Sequence, residues 1–167
     1  MPLRGKTLAL VFEKPSLRTR VAFEAGMTQL GGHGSYLSAN DIDMGGRESV
    51  ADVAYNLSRW VQVIAARVFR HATVAELARH ATVPVINALC DREHPCQALA
   101  DLLTLRERFG TLQGLRLAYL GDGNNVCHSL MLLGATLGVN VGVACPPDYR
   151  PDPEIVAQAE RLAAESD

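Results

Sequence analysis

With 167 residues, 48% of them hydrophobic and 20% charged, the chain has the composition of a globular protein with enough apolar material for a core. Sixteen lysines and arginines against eighteen acids leave a net charge of −2, which gives no basic field for nucleic acid and no charged tail. The apolar stretch Leu8 to Phe12 is too short for a signal sequence or a membrane span, so a soluble cytoplasmic protein with neither a membrane nor a nucleic-acid partner is expected.

Short β-rich runs alternate with helix-period segments along the chain. A strand is expected at Thr7–Phe12, then a helix at Leu17–Leu30 closed by Gly31-Gly32. A short strand comes next at Ser35–Ser38, and a polar loop at Ala39–Arg47. Glu48–Trp60 carries Val50, Val53, Ala54 and Leu57 on one face and reads as an amphipathic helix. Val61–Phe69 is strand-like, Val74–Ala81 helical and Val83–Ala88 strand-like. Pro95 opens a long helix to Phe109. Beyond it come strand Leu115–Leu120, helix Asn125–Leu137, strand Val139–Ala144 and helix Pro153–Glu165. Such alternation predicts an α/β fold with parallel sheets flanked by helices. Phe109-Gly110 marks the joint, giving domains at 1–109 and 110–167. The second, with only two strands, looks unfinished. Four cysteines, Cys90, Cys96, Cys127 and Cys145, include no C-x-x-C pair, so neither a zinc site nor a disulfide scaffold is expected.

The chemistry-bearing residues fall at the carboxyl ends of the predicted strands. In Phe12-Glu13-Lys14-Pro15-Ser16-Leu17-Arg18-Thr19-Arg20 a strand ends, proline forces an extended step, and Ser16 takes the N-cap position. The free amides and positive dipole end of the next helix suit an anion, and two arginines and two hydroxyls add donors for phosphate. The alternative is a capped surface helix with solvated arginines, but cations in a first turn oppose the dipole. Arg67, at the end of an apolar strand, points to the crevice where α/β proteins bind ligands; alone it would read as a solvated strand end. His94-Pro95-Cys96-Gln97 opens the long helix, with His94 able to donate to a carbonyl oxygen and Gln97 able to donate and accept. Gly121-Asp122-Gly123-Asn124-Asn125 begins like a dinucleotide fingerprint. However, Val126 stands at its third glycine position and no acid ends the next strand. That disfavours a nicotinamide-dependent oxidoreductase. The tandem asparagines suit a zwitterionic amino acid instead.

These segments, with His-Pro-Cys-Gln-Ala-Leu-Ala-Asp-Leu-Leu-Thr from His94 and Gly-Asp-Gly-Asn-Asn-Val-Cys-His-Ser-Leu from Gly121, resemble the ornithine carbamoyltransferases across essentially the whole chain. Relatives that use aspartate share the first two motifs but not Gly-Asp-Gly-Asn-Asn. The resemblance implies that Ser16, Leu17, Arg18 and Thr19 hold the phosphate of carbamoyl phosphate. It further implies that Arg67, His94 and Gln97 hold the carbamoyl group, with Arg67 and His94 catalytic, and that Asn125 binds L-ornithine. Where the family usually has threonine this chain has Leu17, which preserves a backbone contact but not a hydroxyl contact. At Asp43 the family often has glutamine, in a loop reaching a neighbouring subunit's site, and a carboxylate there opposes carbamoyl phosphate.

The implied reaction is transfer of the carbamoyl group to the δ-amine of ornithine, giving citrulline and phosphate in arginine biosynthesis or catabolism. It needs no metal or other cofactor, and a homotrimer is implied. Family chains are roughly twice as long as this one. The sequence is therefore expected to be a fragment truncated at both ends and inactive by itself. Carbamoyltransferases acting on putrescine or an acylated ornithine, and an inactive phosphate-binding fragment, remain the alternatives.

Overall fold

A computed structural model describes residues 1–166. It divides into two compact units, Met1–Cys90 and a second beginning at Asp91.

In the first unit, Thr7–Phe12 forms strand β1, with Leu8 to Phe12 all buried. Such an unbroken apolar run belongs to a parallel strand covered on both faces. Helix α1 covers Leu17–Gln29, and strand β2 covers His33–Ser38. The segment expected to be a loop contains a short helix, α2, at Ala39–Ile42. Its capping box is built by Asp41, which accepts the Ser38 amide at 2.6 Å and the Ser38 hydroxyl at 2.7 Å. Helix α3 (Val50–Trp60) starts two residues later than expected because Ser49 caps it, accepting the Asp52 amide at 3.1 Å. Strand β3 (Val63–Arg67), helix α4 (His71–His80) and strand β4 (Val85–Leu89) complete the unit.

The sheet order is β2-β1-β3-β4, parallel throughout. From β1 the chain moves to one side, then crosses back to place β3 on the other. A topological switch point therefore lies at the carboxyl ends of β1 and β3, where such sheets bind ligands. Side chains alternate between two cores. Ala9, Val11, Ile64 and Ala66 face α3 and α4 through Val53, Leu57, Val74 and Leu77, whereas Leu8, Leu10, Phe12 and Ala65 face Phe23 and Met27 of α1.

In the second unit, helix α5 (Pro95–Phe109) precedes strand β5 (Arg116–Leu120), helix α6 (Asn125–Thr136), strand β6 (Asn140–Ala144) and helix α7 (Pro153–Ser166). Strands β5 and β6 form a two-stranded parallel sheet. Helix α6 packs against both α5 and α7. Ala98 and Leu102 of α5, Cys127 and Leu130 of α6, and Ile155 and Ala159 of α7 are buried. This packing groups α5 with the elements from β5 to α7, whereas the sequence suggested a joint after Phe109. Among the described residues no helix is long and apolar enough to cross a membrane.

Candidate functional site

The switch point of the first unit collects one set of expected residues. Ser16, with extended backbone (φ −157°, ψ 111°), caps α1 by accepting the Thr19 amide at 3.3 Å. Its hydroxyl donates to Thr19 Oγ1 at 3.0 Å. Thr19 Oγ1 thus serves as acceptor inside the turn, and its single hydrogen is left to donate to a ligand. The Leu17 and Arg18 amides precede the first intrahelical bonds and are the orphan donors of this end. The Leu17 side chain is 79% exposed and adds no hydrogen-bonding group.

Arg67 ends β3 opposite Phe12 of β1. Its pairing with β4 shifts register between Ala66 and Arg67. Arg67 Nε is buried without a hydrogen-bond partner. Burial first, and then the positive charge of Arg18, hold this guanidinium below its usual range. Among the described residues neither Arg18 nor Arg67 belongs to a salt bridge. Two cations close enough to repel, beside a helix N-terminus and with no countercharge, form a site that favours an anion. Arg18→Ala should weaken phosphate or carbamoyl phosphate binding by about 1.5–3 kcal/mol, the usual worth of a charge-assisted hydrogen bond. Calorimetric titration of the two proteins checks this, and equal affinities would remove Arg18 from the site.

The second arginine of the motif behaves differently. Arg20 lies 3.9 Å from the Tyr36 ring centroid and bonds Glu24 at 3.1 Å, so it is a partnered structural cation. Asp43 caps α2 in a left-handed conformation (φ 46°), and its carboxylate accepts the Arg47 amide at 3.2 Å. It also lines a cavity of about 230 Å³ with Phe12, Glu13, Ile42, Met44 and Phe69.

The second unit holds the remaining expected residues. His94 takes the N-cap position of α5, with Pro95 first in the helix. Its amide donates to Ser129 Oγ at 2.9 Å. Next to Ser129, buried His128 meets the Arg92 carbonyl through Nδ1 at 2.8 Å and accepts the Asp152 amide at Nε2 at 3.0 Å. The Nε2 bond requires an unprotonated acceptor, which makes Nδ1 the donor. Consecutive side chains of α6 thereby anchor residues 92–94. His128→Ala would strand both backbone partners, and an unfolding titration should show a loss of about 1–3 kcal/mol. An unchanged midpoint would mean that water replaces the ring.

Gln97 is exposed and donates to Asp101 at 2.9 Å on its own helix. Of the tandem asparagines, Asn124 is the cap of α6, accepting the Val126 and Cys127 amides at 3.0 and 3.2 Å and the Tyr119 hydroxyl at 3.2 Å. Asn125 is the first residue of that helix and is partly buried. A separate cavity of about 920 Å³ among Met131, Val141, Val143, Val156 and Ala159 includes none of the candidate residues. Burial raises the Cys96 thiol, and pushes that of Cys127 up to about 11, so both are protonated at neutral pH and poor nucleophiles. Among the described residues no group of His, Cys, Asp and Glu is placed to hold a metal.

Residues 1–107 match the family model described as the aspartate/ornithine carbamoyltransferase carbamoyl-P binding domain, and residues 113–167 match the Asp/Orn binding domain of the same family. The chain belongs to the aspartate/ornithine carbamoyltransferase family. Within this carbamoyltransferase family, the ornithine carbamoyltransferase of Thermococcus kodakarensis is 57% identical over 98% of this chain and 52% of its own length. The anabolic ornithine carbamoyltransferase of Pyrococcus furiosus is 55% identical over the same shares. A solved structure of ornithine carbamoyltransferase from Pyrococcus furiosus superposes with a TM-score of 0.95, covering 98% of this chain and 52% of that one. The chain thus spans about half the length of the curated relatives it matches.

The expectations missed several contributors. Glu13 accepts the Phe69 amide, His128 and Ser129 anchor the segment carrying His94, and Asn124 caps α6. Only the Asn124 role carried a sequence signal, since asparagine before an apolar helix is a capping pattern.

Proposed function

We propose that the protein of which these residues form a part transfers the carbamoyl group of carbamoyl phosphate to the δ-amine of L-ornithine, giving citrulline and phosphate. The observation that carries this reading is the unneutralised Arg18 and Arg67 pair at the α1 N-terminus. The acceptor assignment rests on the names of the relatives, and arginine biosynthesis on the anabolic one.

In this reading Ser16, Arg18 and the Leu17 and Thr19 turn hold the phosphate, and residues 1–109 serve as the carbamoyl phosphate domain. Arg67, His94 and the Thr19 hydroxyl meet the carbonyl oxygen as it gains negative charge, with Gln97 beside the carbamoyl amide. The neutral amine attacks the carbamoyl carbon, the bond from that carbon to the phosphate oxygen breaks, and the amine proton is lost to solvent. Asn125, in residues 110–167, contacts ornithine. Asp43 stays outside this set, because its carboxylate is tied to the Arg47 amide and would repel the phosphate. A cytoplasmic homotrimer completes the proposal.

The test is an assay of the ureido product with L-ornithine, putrescine and N-acetyl-L-ornithine as acceptors. It would be run on this chain and on a version extended to the relatives' length. Carbamoyl phosphate binding by both, with transfer to L-ornithine only by the longer one, is the expected result. Preference for another acceptor would replace ornithine. Absence of transfer by the longer chain would overturn the enzymatic reading.

A further inference from the structure

Resting on the reading of Ser16–Thr19 and Arg67 as an anion site, the geometry points to Glu13 as a positioning residue that keeps the two arms of that site in register. One arm is the turn after β1, carrying Ser16 and Arg18. The other is the exit of β3, carrying Arg67. The β1–β3 register ends at the Phe12 and Arg67 pair. On the other side of β3, Val68 still donates to the Leu89 carbonyl at 2.9 Å, so Phe69 is the first residue past the ladder.

Glu13 closes that gap. Its amide donates to the Arg67 carbonyl at 2.9 Å, and its carboxylate accepts the Phe69 amide at 2.6 Å. That second bond is short, as a charge-assisted hydrogen bond should be. Lys14 adds a third contact, its Nζ lying 4.7 Å from the Phe69 ring centroid. Two consecutive residues of the first arm therefore fasten Arg67 and Phe69 of the second, the Glu13–Phe69 bond spanning 56 positions of sequence.

A carboxylate near an anion site opposes the ligand, so its presence there needs a physical reason. Neutralising Arg67 is not that reason. The influences on the Arg67 guanidinium are burial and Arg18, and both lower its proton affinity. Glu13 instead holds the backbone from which Arg67 projects and leaves the two cations uncompensated for the ligand. A lost strut would let the β3 exit drift from the helix turn, and a displacement of this kind weakens a ligand that must touch both arms.

Two measurements on wild type, Glu13→Ala and Glu13→Gln test this: NMR amide exchange at Phe69, and calorimetric titration with inorganic phosphate and with carbamoyl phosphate. Glu13→Ala should speed exchange at Phe69 and weaken anion binding about 10-fold, the equivalent of one charge-assisted bond. Glu13→Gln keeps an oxygen that can accept the same amide and should bind within about 3-fold of wild type. Tighter binding by both variants would make Glu13 a simple opposing charge and overturn the positioning role. So would Glu13→Ala affinity equal to wild type with only a lower Tm. A wild type that protects the Phe69 amide yet binds neither anion would overturn the anion-site reading itself and reduce Glu13 to a fold contact.

Discussion

In a chain of the relatives' full length, Arg67→Ala is expected to lower kcat about 10²–10³-fold, as loss of an oxyanion donor does, with a smaller change in carbamoyl phosphate affinity. The ground for separating the two effects lies in the position of the guanidinium. Its Nε is buried and unpartnered, and Arg18 beside it supplies a second positive charge. Holding two such groups together is unfavourable until negative charge arrives. In the proposed reaction the phosphate can lean on Arg18, Ser16 and the helix amides without Arg67. The carbonyl oxygen, which in that reaction becomes strongly negative only as the amine attacks, has fewer donors available. Arg67→Lys tests geometry against charge, since an ammonium lacks the planar fork that lets one donor set face two oxygens. It should recover only part of the rate. His94→Ala is expected to behave like Arg67→Ala. A variant with intact kcat and raised KM would move its residue from the reacting oxygen to ground-state binding.

The parts of this molecule legible in sequence are those governed by neighbours in sequence. Ser16 was recognisable as a cap because its partner is three residues away, and the same local logic located the anion-favouring turn. The parallel α/β class came from alternation of strand and helix periods, and strand Thr7–Phe12 was expected with the bounds it has. What sequence did not supply was set by contacts that no spacing announces, some one turn away and some far along the chain. Arg20 read as a phosphate donor, yet Tyr36 on β2 and Glu24 take its charge. Gln97 read as a group able to donate and accept, and its amide donates to Asp101 one turn on. Short α2 was missed because four residues carry almost no periodicity, and only Asp41 folding back on Ser38 reveals it. Arg67 was expected at the crevice from its strand end, though alone it would read as a solvated one, and the sheet order puts that end at the switch point.

Gly123→Ala is expected to destabilise the protein by at least about 3 kcal/mol, beyond the usual range for an overpacked methyl. In the sequence this glycine looked like part of an incomplete nucleotide fingerprint. In the structure it is where two backbones meet. The Gly123 amide donates to the Tyr149 carbonyl at 2.7 Å, and a Cβ would overlap Pro151 N and stand 2.5 Å from Arg150 C. These are main-chain atoms, one of them in a proline ring, so no rotamer change relieves the overlap. The segment 149–151 must retreat, which strains the Gly123 bond and displaces Asn124, whose side chain caps α6. Asp152, whose amide rests on His128, is the next residue and shares the disturbance. For a chain of this size the expected fall in Tm is on the order of 6–12 °C. Gly26→Ala serves as the control. That residue lies inside α1 with nothing within 4 Å of the added Cβ, and alanine there should raise stability by about 0.5–1 kcal/mol. Thermal unfolding of the two variants would be compared with wild type. A Gly123→Ala protein melting with wild type would mean that the 149–151 segment yields freely and plays no part in holding the start of α6.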